Sequence, residues 1–246
     1  HERFRRQRQM CIRDSRSLFI SKGALEKGAV RPKEVPDQRV KTVGVLGSGM
    51  MGAGIALVAA QAGVEVVLVD QNQDVADKGK AYSEKYLNAG IKRGKVSDKN
   101  KIETLNRILA TDDYTKLSAA DLIIEAVFED TQVKSDVTKA VLEIVPKNCI
   151  FASNTSTLPI TELAKASKYP ENYIGIHFFS PVEKMLLVEI IKGEKTDNRA
   201  VAKALDFVRQ IKKTPIVVND ARFFYANRCI IPVSYTHLTL PTKPFV

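Results

Sequence analysis

The hexapeptide Gly47-Ser48-Gly49-Met50-Met51-Gly52 constrains this chain more than any other feature. Glycines at that spacing are common by chance, so the flanking sequence decides what they mean. Thr42–Leu46 is a short apolar run, the pattern of a strand buried on both faces of a parallel sheet. Ile55–Ala62 is rich in small apolar residues and suits a helix lying close to that sheet, with Gly63 as its C-terminal stop. Val64–Asp70 is a second strand and ends in an acid eighteen positions beyond Gly52. Strand, glycine loop, helix, strand and acid within about 30 residues form a dinucleotide-binding βαβ unit.

Each position has a physical task in such a unit. Gly47 permits the tight turn, Gly49 lets the backbone approach a pyrophosphate, and Gly52 lets the helix pack closely. The free amides of the loop, which also contains Ser48, Met50 and Met51, join the helix dipole in receiving anionic phosphates. Asp70 is suited to accept hydrogen bonds from ribose hydroxyls and to repel a 2′-phosphate. Gln71, Asn72 and Gln73 supply no cation to neutralise one, so NAD is expected over NADP.

Further along, strands are expected at Arg107–Ala110, Leu122–Ala126, Ile150–Ser153, Tyr173–Phe178, Met185–Ile191 and Ile216–Val218. Helices are expected at 72–93 and 98–107, broken at Gly94, and at about 130–145, 159–167 and 197–212. The fold class is therefore α/β: a Rossmann-type, doubly wound, mostly parallel sheet with a helical-pair insertion. Only Phe179–Lys184 joins two of the strands, too short for a crossover, so a terminal antiparallel pair is expected there. A helix over 16–29 and the proline-punctuated segment Val30–Pro36 make 16–40 a linker ahead of an NAD-binding domain at 41–220. Residues 221–232 read as the truncated start of a C-terminal helical domain. Residues 1–15 and 233–246 continue no flanking period, resemble translated adaptor sequence and read as non-native, which sets aside Cys11 and His237.

Composition excludes several classes. No apolar run is long enough to span a bilayer, and no signal-peptide core is present, so a cytoplasmic protein of bacterial type is expected. Cys11, Cys149 and Cys229 are far apart, form neither a disulfide framework nor a metal site, and are expected to be buried and inert. Of the net charge of +10, residues 1–41 carry twelve Lys/Arg against five Asp/Glu. That basic arm carries no recognisable nucleic-acid motif, so nucleic acid is not expected as a partner. The mildly basic remainder suits a phosphate-bearing substrate.

Outside the two ends, His177 is the one histidine, in Tyr173-Ile174-Gly175-Ile176-His177-Phe178-Phe179-Ser180-Pro181. Glu189 lies in the next strand, and a hairpin of this length can set the two side chains face to face. A carboxylate there fixes the imidazole tautomer and stabilises its charged form, as a general base requires. From the residues alone, a buried structural pair is slightly favoured.

Gly47–Gly52, Ser153-Asn154-Thr155-Ser156-Thr157-Leu158-Pro159, His177–Pro181 and Glu189 together resemble the 3-hydroxyacyl-CoA dehydrogenase family, over about residues 16–231. The proline linker and Ser180 resemble the multifunctional fatty-acid β-oxidation α subunit type. The resemblance implies NAD-dependent oxidation of an L-3-hydroxyacyl-CoA, with His177 as base and Glu189 orienting it. It implies Ser156 and Asn227 as contacts to the substrate oxygen, and Asn154, Glu129, Lys134 and Ser180 near the cofactor. An enoyl-CoA hydratase domain upstream, a helical domain downstream and a thiolase subunit are the implied partners in a parent protein. Two positions depart from the pattern: Ser180 replaces a common Asn, and Phe223 replaces a Gly whose loss matters if φ there is positive. A fragment that binds NAD without turnover, or a dehydrogenase of another small 3-hydroxy acid, are the alternatives. The second usually needs a lysine that the His177–Glu189 pair argues against.

Overall fold

The structure is a computed structural model that describes residues 9, 12, 13, 15–37 and 39–239, except the side chains of 17, 18, 26 and 237–239. Cys11, the His237 side chain and most of the two end segments lie outside those residues. Eight strands form one sheet: β1 (Thr42–Leu46), β2 (Glu65–Val69), β3 (Ile108–Thr111), β4 (Leu122–Glu125), β5 (Ile150–Ser153), β6 (Tyr173–Phe178), β7 (Leu187–Lys192) and β8 (Thr214–Asn219). Their order is β3-β2-β1-β4-β5-β6-β7-β8. The sheet is parallel from β3 to β6, and β6 pairs antiparallel with β7. β8 then pairs parallel with β7, so the reversal lies one strand in from the edge rather than at it. The β7–β8 connection contains a helix, α7 (Asn198–Gln210), long enough for a crossover, whereas the β6–β7 connection contains none.

Helices cover both faces. On one, α2 (Met50–Gln61) and α7 pack over a core that includes Val43, Val45, Ile124, Ile176 and Val188. α2 is buried continuously from Gly52 to Ala60 because glycine and alanine bring its backbone close to the sheet. On the other face, α5 (Thr131–Leu142) and the short α6 (Ile160–Leu163) enclose Val69, Ile123, Phe151 and Tyr173. The expected helical pair is α3 (Gln73–Lys92) and α4 (Asp98–Asn106), capped by the Asn72 and Ser97 side chains. Gly94 adopts φ +66° in the turn between them.

The two ends of the domain differ from expectation. Residues 16–29 form a π-helical turn, Arg16–Ser21, followed by the short helix α1 (Lys22–Glu26) and a turn with Gly28 at φ +83°. At the other end α8 (Ala226–Thr239) runs straight across position 233, where the sequence pattern had broken off. Ile230, Ile231, Val233 and Tyr235 on it are all exposed, so no buried face imposes a period on this helix. The cysteine expectation also divides. Cys149 is buried, and desolvation pushes its thiol up to about 12, but Cys229 lies exposed on α8. Cys229 sits on the same uncovered helix, which nothing in its local sequence signals.

The proline segment is clamped rather than free. Arg31 makes a fork to Asp206 of α7, Nε to Oδ1 at 2.7 Å and Nη2 to Oδ2 at 2.8 Å. The same guanidinium donates to the carbonyls of Val35 at 2.6 Å and Pro36 at 2.8 Å. Residues 31–36 thus wrap a single cation bound to the domain. Arg31→Ala is expected to destabilise the protein by about 2–4 kcal/mol, because it removes the fork to the buried Asp206 and frees the carbonyls of Pro32, Val35 and Pro36. Arg31→Lys should recover less than half of that loss, since an ammonium cannot make the fork. Urea unfolding of the three proteins measures the effect.

Candidate active site

The glycine loop leaves β1 and enters α2 under tight steric control. Gly47 adopts φ +89°, and its N–H donates to Val69 O at 2.8 Å. A Cβ at Gly47 would lie 2.7 Å from Ala126 O, and one at Gly52 only 1.7 Å from Gly47 O. A Cβ at Gly49, by contrast, would meet nothing within 4 Å. Gly47 and Gly52 therefore satisfy the protein's own packing, while Gly49 keeps its outer face clear for a ligand. That open face at the start of α2 suits a pyrophosphate.

Asp70 follows the end of β2 and reaches back to the loop. Its Oδ2 accepts the Ser48 N–H at 2.6 Å and lies 2.7 Å from Ser48 Oγ, and its Oδ1 accepts the Gln71 N–H at 2.7 Å. Ser48 is buried, and its hydroxyl lies between Asp70 Oδ2 and Val75 O, the latter at 2.8 Å. Met50 stands exposed at the loop, and Met51 turns inward to line the neighbouring cleft.

Beyond β4, charges interlock. Lys134, 1% exposed, lies 2.7 Å from Glu125 Oε1 and 3.2 Å from Glu129 Oε2. Glu125 also accepts the Ser153 hydroxyl at 2.7 Å and the Val127 N–H at 2.9 Å. Glu129 accepts Thr155 Oγ1–H at 2.6 Å and the Ser156 N–H at 3.0 Å. Burial opposes ionisation of Glu129, but the Thr155 hydroxyl, the Lys134 charge and the Ser156 amide outweigh it and hold the carboxyl below its ordinary range. This network fixes the turn after β5. Within that turn Asn154 Oδ1 accepts the Phe178 N–H at 2.9 Å, tying the turn to β6.

His177 and Glu189 are direct cross-strand partners in the antiparallel pair. His177 Nδ1 lies 2.7 Å from Glu189 Oε2, leaving Nε2 as the nitrogen for chemistry. Glu189 is fully buried, and its Oε1 accepts the N–H groups of Tyr225 at 3.1 Å and Ala226 at 2.7 Å. Burial would raise the Glu189 carboxyl, but the His177 hydrogen bond and the two amides outweigh it and hold the group below its ordinary range. Phe179 and Phe224 flank the imidazole at ring-centroid distances of 4.5 and 5.8 Å. Asn227 Nδ2 donates to Ser156 O at 3.1 Å. Ser180 Oγ lies 3.6 Å from Met50 Sδ, where the β6 end meets the glycine loop.

These residues share a cleft of about 460 Å³, lined by Met51, Glu129, Lys134, Asn154, Ser156, His177, Ser180 and Asn227 among others. Gly47, Ser48, Gly52 and Asp70 lie in or beside the adjoining loop rather than in the cleft lining. Sequence reading passed over Glu125, Thr155 and Phe224. Glu125 was recoverable, since an acid ending a buried apolar strand needs a cationic partner, and Lys134 is nearby in sequence. Thr155 lay inside a motif already singled out, whereas the contact of Phe224 with His177 had no sequence signal. Among the described residues, no group of three or more His, Cys, Asp or Glu could hold a metal ion.

The cleft opens at the carboxyl ends of the strands, beside the point where the order reverses between β1 and β4, the position at which doubly wound sheets hold dinucleotides. With an acid-supported imidazole facing it, the domain is of the nicotinamide-dependent dehydrogenase class. Residues 42–221 match the family described as 3-hydroxyacyl-CoA dehydrogenase, NAD binding domain, and the chain belongs to that family, whose cofactor is NAD. It is similar to the fatty acid oxidation complex subunit alpha of Idiomarina loihiensis, 40% identical over 215 residues, covering 87% of this chain and 30% of that protein. The subunit alpha of Psychrobacter arcticus matches with the same identity and coverage. The chain thus spans less than a third of the length of these curated relatives. Among solved structures, the (S)-3-hydroxybutyryl-CoA dehydrogenase of Ralstonia eutropha is 38% identical with a TM-score of 0.77, covering 80% of this chain and 70% of that one.

Phe223 and Phe224 adopt φ +64° and +49°, so the position at which the resemblance led to an expectation of glycine has a left-handed backbone. Phe223→Gly is expected to stabilise the protein by about 1 kcal/mol, read as a rise in melting temperature. Glu129 and Glu189 both have folded-state values below the ordinary 4.5. Their contribution is complete above that pH and is lost as pH falls through the depressed folded values. Urea midpoints measured from about pH 6 to about pH 3 should therefore fall on acidification, and Glu189→Gln should flatten part of that slope.

Proposed function

We propose that this chain carries the NAD site and catalytic pair of an enzyme that oxidises L-3-hydroxyacyl-CoA to 3-oxoacyl-CoA in fatty acid β-oxidation. The observation that carries this reading is the 2.7 Å contact between His177 Nδ1 and Glu189, in the cleft that adjoins the glycine loop. Bound NAD would supply the hydride acceptor for the carbon that bears the hydroxyl. Gly49 and the first amides of α2 would receive its pyrophosphate, and Asp70 its adenosine ribose. Met51, Glu129, Lys134, Asn154 and Ser180 would border its nicotinamide half.

His177 Nε2 takes the hydroxyl proton as the carbonyl forms. Glu189 holds the proton on Nδ1, keeps Nε2 as the acceptor and stabilises the imidazolium. Ser156 and Asn227 would hold the substrate oxygen, and their mutual hydrogen bond places both at the same side of the cleft. The relatives are named as subunits of a fatty acid oxidation complex, which supports a parent protein of several domains. In that parent, 16–40 would link an upstream enoyl-CoA hydratase domain to the NAD-binding domain at 41–220. Residues 221–232 would begin a helical domain, 1–15 and 233–246 would be non-native, and a thiolase subunit would be the partner chain. Among the described residues no helix is long and apolar enough to cross a membrane, and the compartment proposed is the bacterial cytoplasm.

The short coverage of the relatives favours one second reading, a domain that binds NAD but does not turn over by itself. Acetoacetyl-CoA reduction, followed by loss of NADH absorbance, separates the two. His177→Gln is expected to lower kcat about 10²–10⁴-fold with NADH affinity unchanged. Unchanged turnover in that variant would overturn the assignment of His177. NADH binding without turnover in the unaltered chain would favour the second reading.

A further inference from the structure

Glu189 has two oxygens with different partners. Oε2 holds His177, and Oε1 holds the N–H groups of Tyr225 and Ala226. Tyr225 O accepts the Cys229 N–H at 3.1 Å, the first hydrogen bond of α8, so Tyr225 caps that helix and Ala226 is its first residue. The buried carboxylate is therefore shared between an imidazole and the amino end of a helix that contributes Asn227 to the cleft. The turn that aims those amides is held from the opposite side. Asp220 accepts the N–H groups of Ile160 at 2.9 Å and Thr161 at 2.8 Å, and the Phe223 N–H donates to Thr157 O at 3.4 Å.

We propose that the backbone N–H groups of Tyr225 and Ala226 are positioning groups for His177, drawing negative charge from Glu189 and so setting how readily the imidazole takes a proton. The inference rests on the proposed role of His177 as base. Each N–H donated to Glu189 stabilises its charge locally and weakens its pull on the imidazolium. The imidazole and the two amides thus share one carboxylate, which they hold in its ionised form. Phe179 and Phe224 pack against the imidazole, and Glu129 and Lys134 are the charged groups that line its cleft. Displacement of α8 would remove both donors together, so the docking of this helix and the basicity of His177 are one variable.

Ala226→Pro removes an N–H that the helix itself does not use, but its ring carbon falls where Glu189 Oε1 now accepts at 2.7 Å, so the variant reads the loss of that hydrogen bond together with a shift of the carboxylate. The chain has three histidines, so the His177 ring is readily followed in an NMR titration of the whole chain, without substrate or turnover. Ala226→Pro is expected to move the His177 midpoint by about half a pH unit or more, about threefold in proton affinity, while Ala226→Gly, which keeps the N–H, titrates as the unaltered chain does. In the unaltered chain the Tyr225 and Ala226 amide proton shifts should follow the His177 midpoint, and Glu189→Gln should abolish that response. This second measurement decides the matter if Ala226→Pro fails to fold. A folded Ala226→Pro with an unmoved midpoint, or amide shifts indifferent to His177, would overturn the proposal. Loss of turnover with the His177 titration behaving as expected would instead count against the dehydrogenase reading.

Discussion

A carboxylate without solvent must have its charge met by hydrogen bonds or an opposite charge, and two such groups organise the carboxyl edge of this sheet. Glu125 and Glu189 are both 0% exposed. Neither can be satisfied by its own strand, because the ladder uses only backbone groups. Glu125 therefore draws in Lys134 from α5, the Ser153 hydroxyl from β5 and the Val127 amide. Glu189 draws in His177 from β6 and the amides that begin α8. The loops of five elements are placed by the desolvation of two acids.

The two clusters meet in the turn that follows β5. Thr155 and Ser156 donate to Glu129 on one side, while the Ser156 carbonyl accepts from Asn227 on the other. Asn154 secures the same turn to β6 through the Phe178 amide. A side chain presented from this turn is thus fixed relative to both the imidazole and the cofactor loop. Such fixity matters for hydride chemistry, in which small displacements of the reacting atoms cost large factors in rate.

Much of this was legible in linear form. Apolar runs of four to seven residues marked the strands because a parallel sheet covered on both faces buries every side chain. The short β6–β7 connection foretold an antiparallel pair, and positive φ at Phe223 was foreseeable from the expected glycine. What escaped notice was of two kinds. Pairings between distant residues, such as Arg31 with Asp206 or Phe224 against His177, carry no local pattern. Elements that bury no face, such as α8 beyond Ile231, lack the periodicity that would announce them.

The sequence by itself determined the dinucleotide unit, since Gly47, Gly49, Gly52 and Asp70 act through backbone geometry and charge within one βαβ segment. It also narrowed which residues were available for chemistry, because His177 is the one histidine between the two end segments. Only the tertiary structure decided that the Ser48 hydroxyl meets Asp70, that the proline segment is clamped by Arg31, and that Glu189 is shared between His177 and α8. The physical reason is common to all three. Each is a polar group removed from water, and the partner that satisfies it is chosen by proximity in the fold rather than in the chain.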